Sequence, residues 1–312
     1  MKFVYAAILV AFLFLYSAEV SGQNLYTKAY GNLHDPAMIF IHGGPRGNAT
    51  LFEATTAEKL AAMGFYVIVY DRRGEGRSND LSARFTFDEA FSDLNLVMKQ
   101  YHLTKVSLIG HSFGGIISTL FSNQYPEKVD HLILADALFA QQESYNYILS
   151  QVKETVALKQ DEISIKDLAN VNTMDTLSAA YRKLVYDLAS RFGYFKMSAP
   201  TKESARISKE YLNSDFSKQN IRNDNAPLLF YRNESLVNID TKPILRKLIT
   251  KGVKIAAVYG EDDRIFSSKQ LNDLKLIVGD HQYHLISNCS HYPFVDQQEQ
   301  FLKILSSIIN GR

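Results

Sequence analysis

Short apolar, β-branched runs recur along the chain, separated by stretches in which apolar residues return at helical spacing. Residues 37–41 (AMIFI), 66–70 (YVIVY), 105–109 (KVSLI), 131–135 (HLILA), 253–259 (VKIAAVY) and 282–286 (QYHLI) read as short buried strands. Between them, residues 55–63 form a helical stretch. Residues 86–101 form a second, with Phe87, Ala90, Phe91, Leu94 and Val97 on one side. Strands alternating with helices predict an α/β fold with a mostly parallel, doubly wound sheet covered on both faces. Ligands of such sheets bind beyond the carboxyl ends of the strands.

One interval breaks the alternation. From about residue 138 to about 248 no strong strand pattern occurs, and amphipathic pieces such as 145–149 (YNYIL) and 177–181 (LSAAY) take its place. The pattern predicts a helical cap, residues 139–248, inserted into a core made of 23–138 and 249–312.

The other end of the polarity scale is the N-terminus. Lys2 precedes an uncharged apolar run over residues 3–16, followed by Ser17, Ala18, Ser21 and Gly22. This is the layout of a signal peptide over residues 1–22. The run is short for a membrane span, which needs about 20 residues. The expectation is export to a periplasmic or extracellular location, with no stable span after the signal is removed. Cys289 is the only cysteine, so no internal disulfide can form, which suits a bacterial envelope. Asn48, Asn233 and Asn288 begin N-x-S/T triplets. The formal net charge is +1, which gives no electrostatic case for nucleic acid as a partner. The expected partner is a small-molecule or short-peptide substrate.

Candidate chemistry collects at the predicted strand ends. Gly110-His111-Ser112-Phe113-Gly114 fits G-x-S-x-G, the pattern that holds a serine on a sharp strand-to-helix turn. Serine is a weak nucleophile at neutral pH, so it needs a base and a group to orient that base. After the predicted cap comes Gly260-Glu261-Asp262-Asp263, where Asp262 or Asp263 could orient an imidazole. Of the histidines that follow, His281, His284 and His291, the second lies inside a predicted strand. His291, in the loop before Pro293, is the expected base.

The oxyanion formed on attack needs backbone N–H donors. One is expected from Phe113, the other from Gly44 in preference to Gly43, at the end of the 37–41 strand. His42 reads as structural, Arg73 as a tie for the loop beside the site, and Cys289 as a buried bystander.

Together, His42-Gly43-Gly44-Pro45, the run from Asp71 to Ser78 (DRRGEGRS), Gly110–Gly115, Gly260–Asp263 and Ser290-His291-Tyr292-Pro293 resemble α/β-hydrolases of the proline iminopeptidase branch, serine peptidase family S33. The resemblance covers roughly residues 25–138 and 250–312. It implies an α/β-hydrolase fold and release of N-terminal proline from short peptides. Ser112 would be acylated, His291 would act as base then acid, and Asp263, at the third position after the glycine, would be the orienting acid. It implies no metal and no diffusible cofactor. A carboxylesterase or lipase-like enzyme with the same triad is the alternative, and a non-catalytic binding protein on the same scaffold is a second. Two departures stand out. Arg46 occupies a position where the family usually has glycine. The family's cap also holds the substrate amine with acidic residues, one beside a tryptophan, and this chain has no Trp. Glu203, Glu210 and Glu234 are the candidate replacements within the predicted cap, with a solvated helix charge as the plainer reading of each and the substrate-binding residues left open.

Overall fold

The computed structural model describes residues 25–159 and 161–311. The predicted signal peptide, residues 1–22, lies outside the described residues. Seven strands form one sheet: β1 (Thr27–Tyr30), β2 (Ala37–Ile41), β3 (Tyr66–Tyr70), β4 (Val106–His111), β5 (Val129–Ala135), β6 (Lys254–Gly260) and β7 (Tyr283–Ile286). They lie in the order β1-β3-β2-β4-β5-β6-β7, parallel throughout except for β1.

Each of the six predicted strands appears within a few residues of its expected ends. β1 has no apolar signature in TKAY. It pairs antiparallel with β3, Thr27 opposite Tyr70, at the sheet edge.

Successive strand residues point to opposite faces, so each central strand feeds two cores. Ile39 and Ile41 of β2 join Ile68, Leu108 and Leu132 in one. Met38 and Phe40 join Val67, Val69, Ile109 and Val258 in the other. The first face is covered by the helices Phe87–Gln100 and Phe113–Gln124, through residues such as Leu94 and Ile117. The second is covered by the C-terminal helix Gln298–Asn310, through Phe301 and Leu305. The helix Phe87–Gln100 starts where Thr86 caps it, its hydroxyl accepting the N–H of Glu89.

The helical stretch predicted from residue 55 begins earlier. It runs over residues 50–62 and contains a π-helical segment, Glu53–Ala57. Glu53 is buried there and accepts the hydroxyls of Tyr26 and Tyr30 at 2.7 Å each, and Arg77 at 2.7 Å. A carboxylate satisfied by distant residues is invisible to apolar periodicity.

Between β5 and β6 the described residues are helical. Ala140 and Asp240 form an isolated bridge at the neck of this region. The predicted end of the cap at 248 falls inside the helix Lys242–Thr250. The helix Lys242–Thr250 packs on the helix Phe113–Gln124 and on β6, as part of the layer that covers the sheet.

Candidate active site

Ser112 sits between β4 and the helix Phe113–Gln124, with φ 53° and ψ −123°. Side chains rarely adopt such a backbone, which costs about 1–3 kcal/mol and persists only where surrounding contacts fix it. Those contacts come from the end of β5. The Ser112 N–H donates to the Asp136 carbonyl at 3.2 Å, and the Ser112 carbonyl accepts the Leu138 N–H at 2.8 Å. Helix and sheet meet so closely here that a Cβ on Gly114 would lie 2.1 Å from the Ile41 carbonyl oxygen.

Asp263 and His291 follow β6 and β7. His291 Nδ1 lies 2.8 Å from Asp263 Oδ2, and both side chains are buried. The other carboxylate oxygen of Asp263 accepts the Ile265 N–H at 3.0 Å. A carboxylate acceptor requires Nδ1 to carry hydrogen, which leaves Nε2 as the free nitrogen of a neutral ring. The His291 loop is itself held. Asp296 accepts the N–H and hydroxyl of Ser290 at 2.9 and 2.6 Å, and the Ser204 hydroxyl at 2.9 Å. His111 Nε2 donates to the His291 carbonyl at 2.7 Å. Burial, then the neighbouring His291, holds the His111 imidazole down at about 3, so it stays neutral. Ser112 and His291 line one cavity of about 420 Å³ together with Gly43 and Gly44. Asp263 lies behind His291.

Phe113 opens its helix, so its N–H has no partner within that helix. Its ring packs on Phe87 and Phe230. A Cβ on Gly43 would stand 3.0 Å from Ser112 Cβ and 3.5 Å from Oγ, so the glycine loop runs against the serine.

The loop carrying these glycines is clamped from the end of β3. Arg72 donates to the His42 carbonyl, and to the Gly43 carbonyl at 2.8 Å. It also pairs with Glu75 at 2.9 Å. His42 accepts the Arg72 N–H on Nε2 at 3.0 Å and donates from Nδ1 to the Gly43 carbonyl at 2.7 Å. Both ring nitrogens are committed. Burial and Arg72 lower its pKa well below the ordinary value, so His42 is a neutral structural group.

The tie beside the site is thus Arg72 rather than Arg73. Arg73 pairs with Asp93, and with Asp80 at 2.8 Å, fastening the loop after β3 to the helix Phe87–Gln100.

Arg46 departs from the expected glycine at a cost. Its φ is 149°, a region side chains rarely adopt. Its N–H donates to Glu75 at 2.8 Å, and its guanidinium reaches Asp187 at 3.3 Å and Asp224 at 2.9 Å. Both acids belong to the helical insertion, so Arg46 joins the glycine loop to the roof of the cavity.

The three candidate glutamates of the insertion do not line the cavity. Glu203 and Glu210 pair with Arg206 on the exposed face of the helix Lys202–Asn213. Glu234 accepts the Phe87 N–H at 2.8 Å. Of the other histidines after Asp263, His281 is exposed and His284 is half-buried in β7. Cys289 is buried, and burial pushes its thiol pKa far up, away from the reactive thiolate.

Two groups at the site escape sequence reasoning. Asp296 looks like an ordinary helix charge, and Asp136 like a strand-ending aspartate. The position of Asp136 after an apolar strand is the one available signal.

The pattern of the α/β hydrolase fold family matches residues 36–298, and the chain belongs to that family. Among curated proteins, a human serine hydrolase-like protein is 31% identical over 115 residues, 36% of this chain and 55% of its own length. A proline iminopeptidase from Saccharolobus solfataricus is 25% identical over 177 residues, 52% of this chain and 54% of its own. The chain thus spans about half the length of these relatives. Solved structures extend the likeness to the whole fold. A proline iminopeptidase-related protein from Thermus thermophilus has a TM-score of 0.66 at 20% identity, covering 92% of this chain and 93% of that one. An esterase from Exiguobacterium antarcticum has a TM-score of 0.61 at 20% identity, covering 93% and 97%.

Proposed function

We propose that the chain is an exported serine hydrolase that works through an acyl-enzyme on Ser112, and that its substrates are small carboxylic esters with a neutral or anionic acyl part. His291 Nε2 takes the Ser112 proton as Oγ attacks the carbonyl carbon. Asp263 keeps the proton of Nδ1 in place and stabilises the imidazolium. The N–H groups of Phe113 and Gly44 receive the oxyanion. As the tetrahedral intermediate collapses, the C–O bond to the leaving group breaks and His291 returns the proton to the departing alkoxide. Water, deprotonated by His291, then attacks the acyl carbon and frees both the acid and Ser112.

The observation that carries the ester reading is the charge of the cavity wall. Besides its histidines it bears Lys196 and Arg222, and Arg46 already paired with Asp187 and Asp224, against a single carboxylate, Asp296. Asp296 already accepts hydrogen bonds from Ser290 and Ser204. A protonated N-terminal amine would meet cations there and find no free carboxylate, which disfavours the charged amine. Tyr186, Phe195, Met197 and Leu51 add apolar wall for the acyl part. Release of N-terminal proline remains the second reading, because proline iminopeptidases recur among the relatives.

A fluorophosphonate probe and two substrates test the proposal. The wild type is expected to take the label and Ser112→Ala to refuse it. His291→Ala is expected to lose about 10⁴-fold or more in ester turnover, since such groups act as a unit. p-Nitrophenyl acetate should be hydrolysed and prolyl-β-naphthylamide should not. A wild type that takes no label would overturn the site. Faster cleavage of the prolyl amide than of the ester would overturn the substrate class and favour the second reading.

A further inference from the structure

Asp136 stands at the end of β5, fully buried, with φ 41°. Its backbone and side chain reach different parts of the site. The carbonyl holds the Ser112 N–H, and Oδ1 accepts the Gly260 N–H at 2.8 Å, at the end of β6. The remaining oxygen, Oδ2, is buried and receives no hydrogen bond. Gly260 links this carboxyl to Asp263, whose N–H donates to the Gly260 carbonyl at 3.3 Å, so the two acids meet at the end of β6 and their charges interact. Two buried carboxyls that interact oppose each other's ionisation, which favours one proton between them.

The surroundings decide which residue carries it. Asp263 accepts two N–H groups, from His291 and Ile265, both of which favour its charged form. Asp136 accepts one, and no cation pairs with it among the described residues. The other groups facing it are the Asp296 carboxyl, the Tyr259 and Tyr283 phenols and the Cys289 thiol. None of these supplies positive charge, and burial followed by the Asp263 charge drives the Asp136 pKa well above the ordinary carboxyl value.

We propose that Asp136 is a positioning residue for the reaction: a carboxylic acid whose Oδ2–H donates to the Asp263 carboxylate and fixes that carboxylate against the His291 ring. The proposal rests on the reading of Ser112, Asp263 and His291 as the triad. In this arrangement Asp263 has three donors around its two oxygens and one orientation that satisfies them all. Part of its negative charge is drawn toward Asp136 and away from the imidazolium.

Two variants and one spectrum test this. Asp136→Leu removes the donor. It is expected to lower kcat by about 10–100-fold with little change in KM, as misplacement of a catalytic group does. With the whole Asp263 charge then facing His291, the acid limb of kcat/KM should move up by about half a pH unit or more. Asp136→Asn keeps an N–H donor for Asp263 and a carbonyl for Gly260, and should recover at least about tenfold of the lost turnover. Asp136→Leu with wild-type kcat and an unmoved acid limb overturns the proposal, as does Asp136→Asn as impaired as Asp136→Leu.

If Asp136→Leu fails to fold, the infrared difference spectrum of wild type minus Asp136→Asn decides. A protonated-carboxyl band at neutral pH is expected, and a carboxylate band overturns the proposal. The spectrum needs no turnover, and fluorophosphonate labelling reports on Ser112 directly. Failure of the triad reading and failure of this inference can therefore be told apart.

Discussion

Around Ser112, at the floor of the cavity, backbone and buried side chains fix nearly every polar group. Arg72 alone holds two carbonyls of the glycine loop, and Asp296 holds the loop of His291. Over the same cavity the roof is attached at a few separate points. Tyr211 meets Thr50 at 2.8 Å, Ser204 meets Asp296 at 2.9 Å, and Arg46 reaches Asp187 and Asp224. Lys196 and Arg222 line the roof side and are exposed. Reaction chemistry needs positions accurate to fractions of an ångström, and the strand ends supply them. Substrate choice depends on shape and charge, which side chains on separate helices can change without disturbing the floor.

The sharpest break in this contrast would come from Arg72→Ala. It leaves Glu75 buried without its guanidinium and removes one donor each from the His42 and Gly43 carbonyls. Folding stability is expected to fall by about 3–5 kcal/mol, measured by denaturant unfolding, with turnover falling alongside. A loss no larger than that of a surface change would mean that the floor is not clamped as described.

A smaller effect tests the buried imidazoles. His111 titrates at about 3 in the folded protein against an ordinary 6.5. The unfolded chain therefore binds more protons between those values, so the stabilising contribution is present above pH 6.5 and lost as pH falls below it. The slope is about 1.4 kcal/mol for each pH unit per group. His111→Asn should flatten the fall in stability from pH 6.5 to about 4 by roughly that amount, leaving the share due to His42. An unchanged slope would remove His111 from the account.

The smallest effect belongs to the roof. Tyr211→Phe should cost about 0.5–1.5 kcal/mol and alter KM among esters of different acyl size more than it alters kcat. A large fall in kcat with KM unchanged would place the roof in the chemistry and erase the distinction.

The same contrast explains what can be read from the sequence. The strands and the loops at their ends announce themselves because buried parallel strands are continuous apolar runs, and turns need glycine, proline or a polar stop. Ser112 and His291 can therefore be singled out by residue number, while the acid narrows only to Asp262 or Asp263 until the family resemblance picks Asp263. β1 escapes notice because an edge strand with one face in water carries no such run. The tie by Arg72, adjacent to the expected Arg73, is beyond the reach of sequence, because neighbouring residues at a strand end diverge to opposite sides. Glu203 and Glu210 look available for a ligand because a sequence does not show which way a helix face points, and theirs turns to solvent. Asp136 is hidden for a related reason: its worth depends on β5 lying beside β6, a neighbour far along the chain.

Arg46 carries a consequence for exchanging parts between relatives. A residue held at φ 149° between the glycine loop and two acids of the insertion makes roof and floor a matched set. A roof transplanted without acids at the places of Asp187 and Asp224 would leave the arginine with its backbone strain and neither of these partners. Selectivity in this chain can then be reshaped side chain by side chain more readily than by grafting a whole insertion.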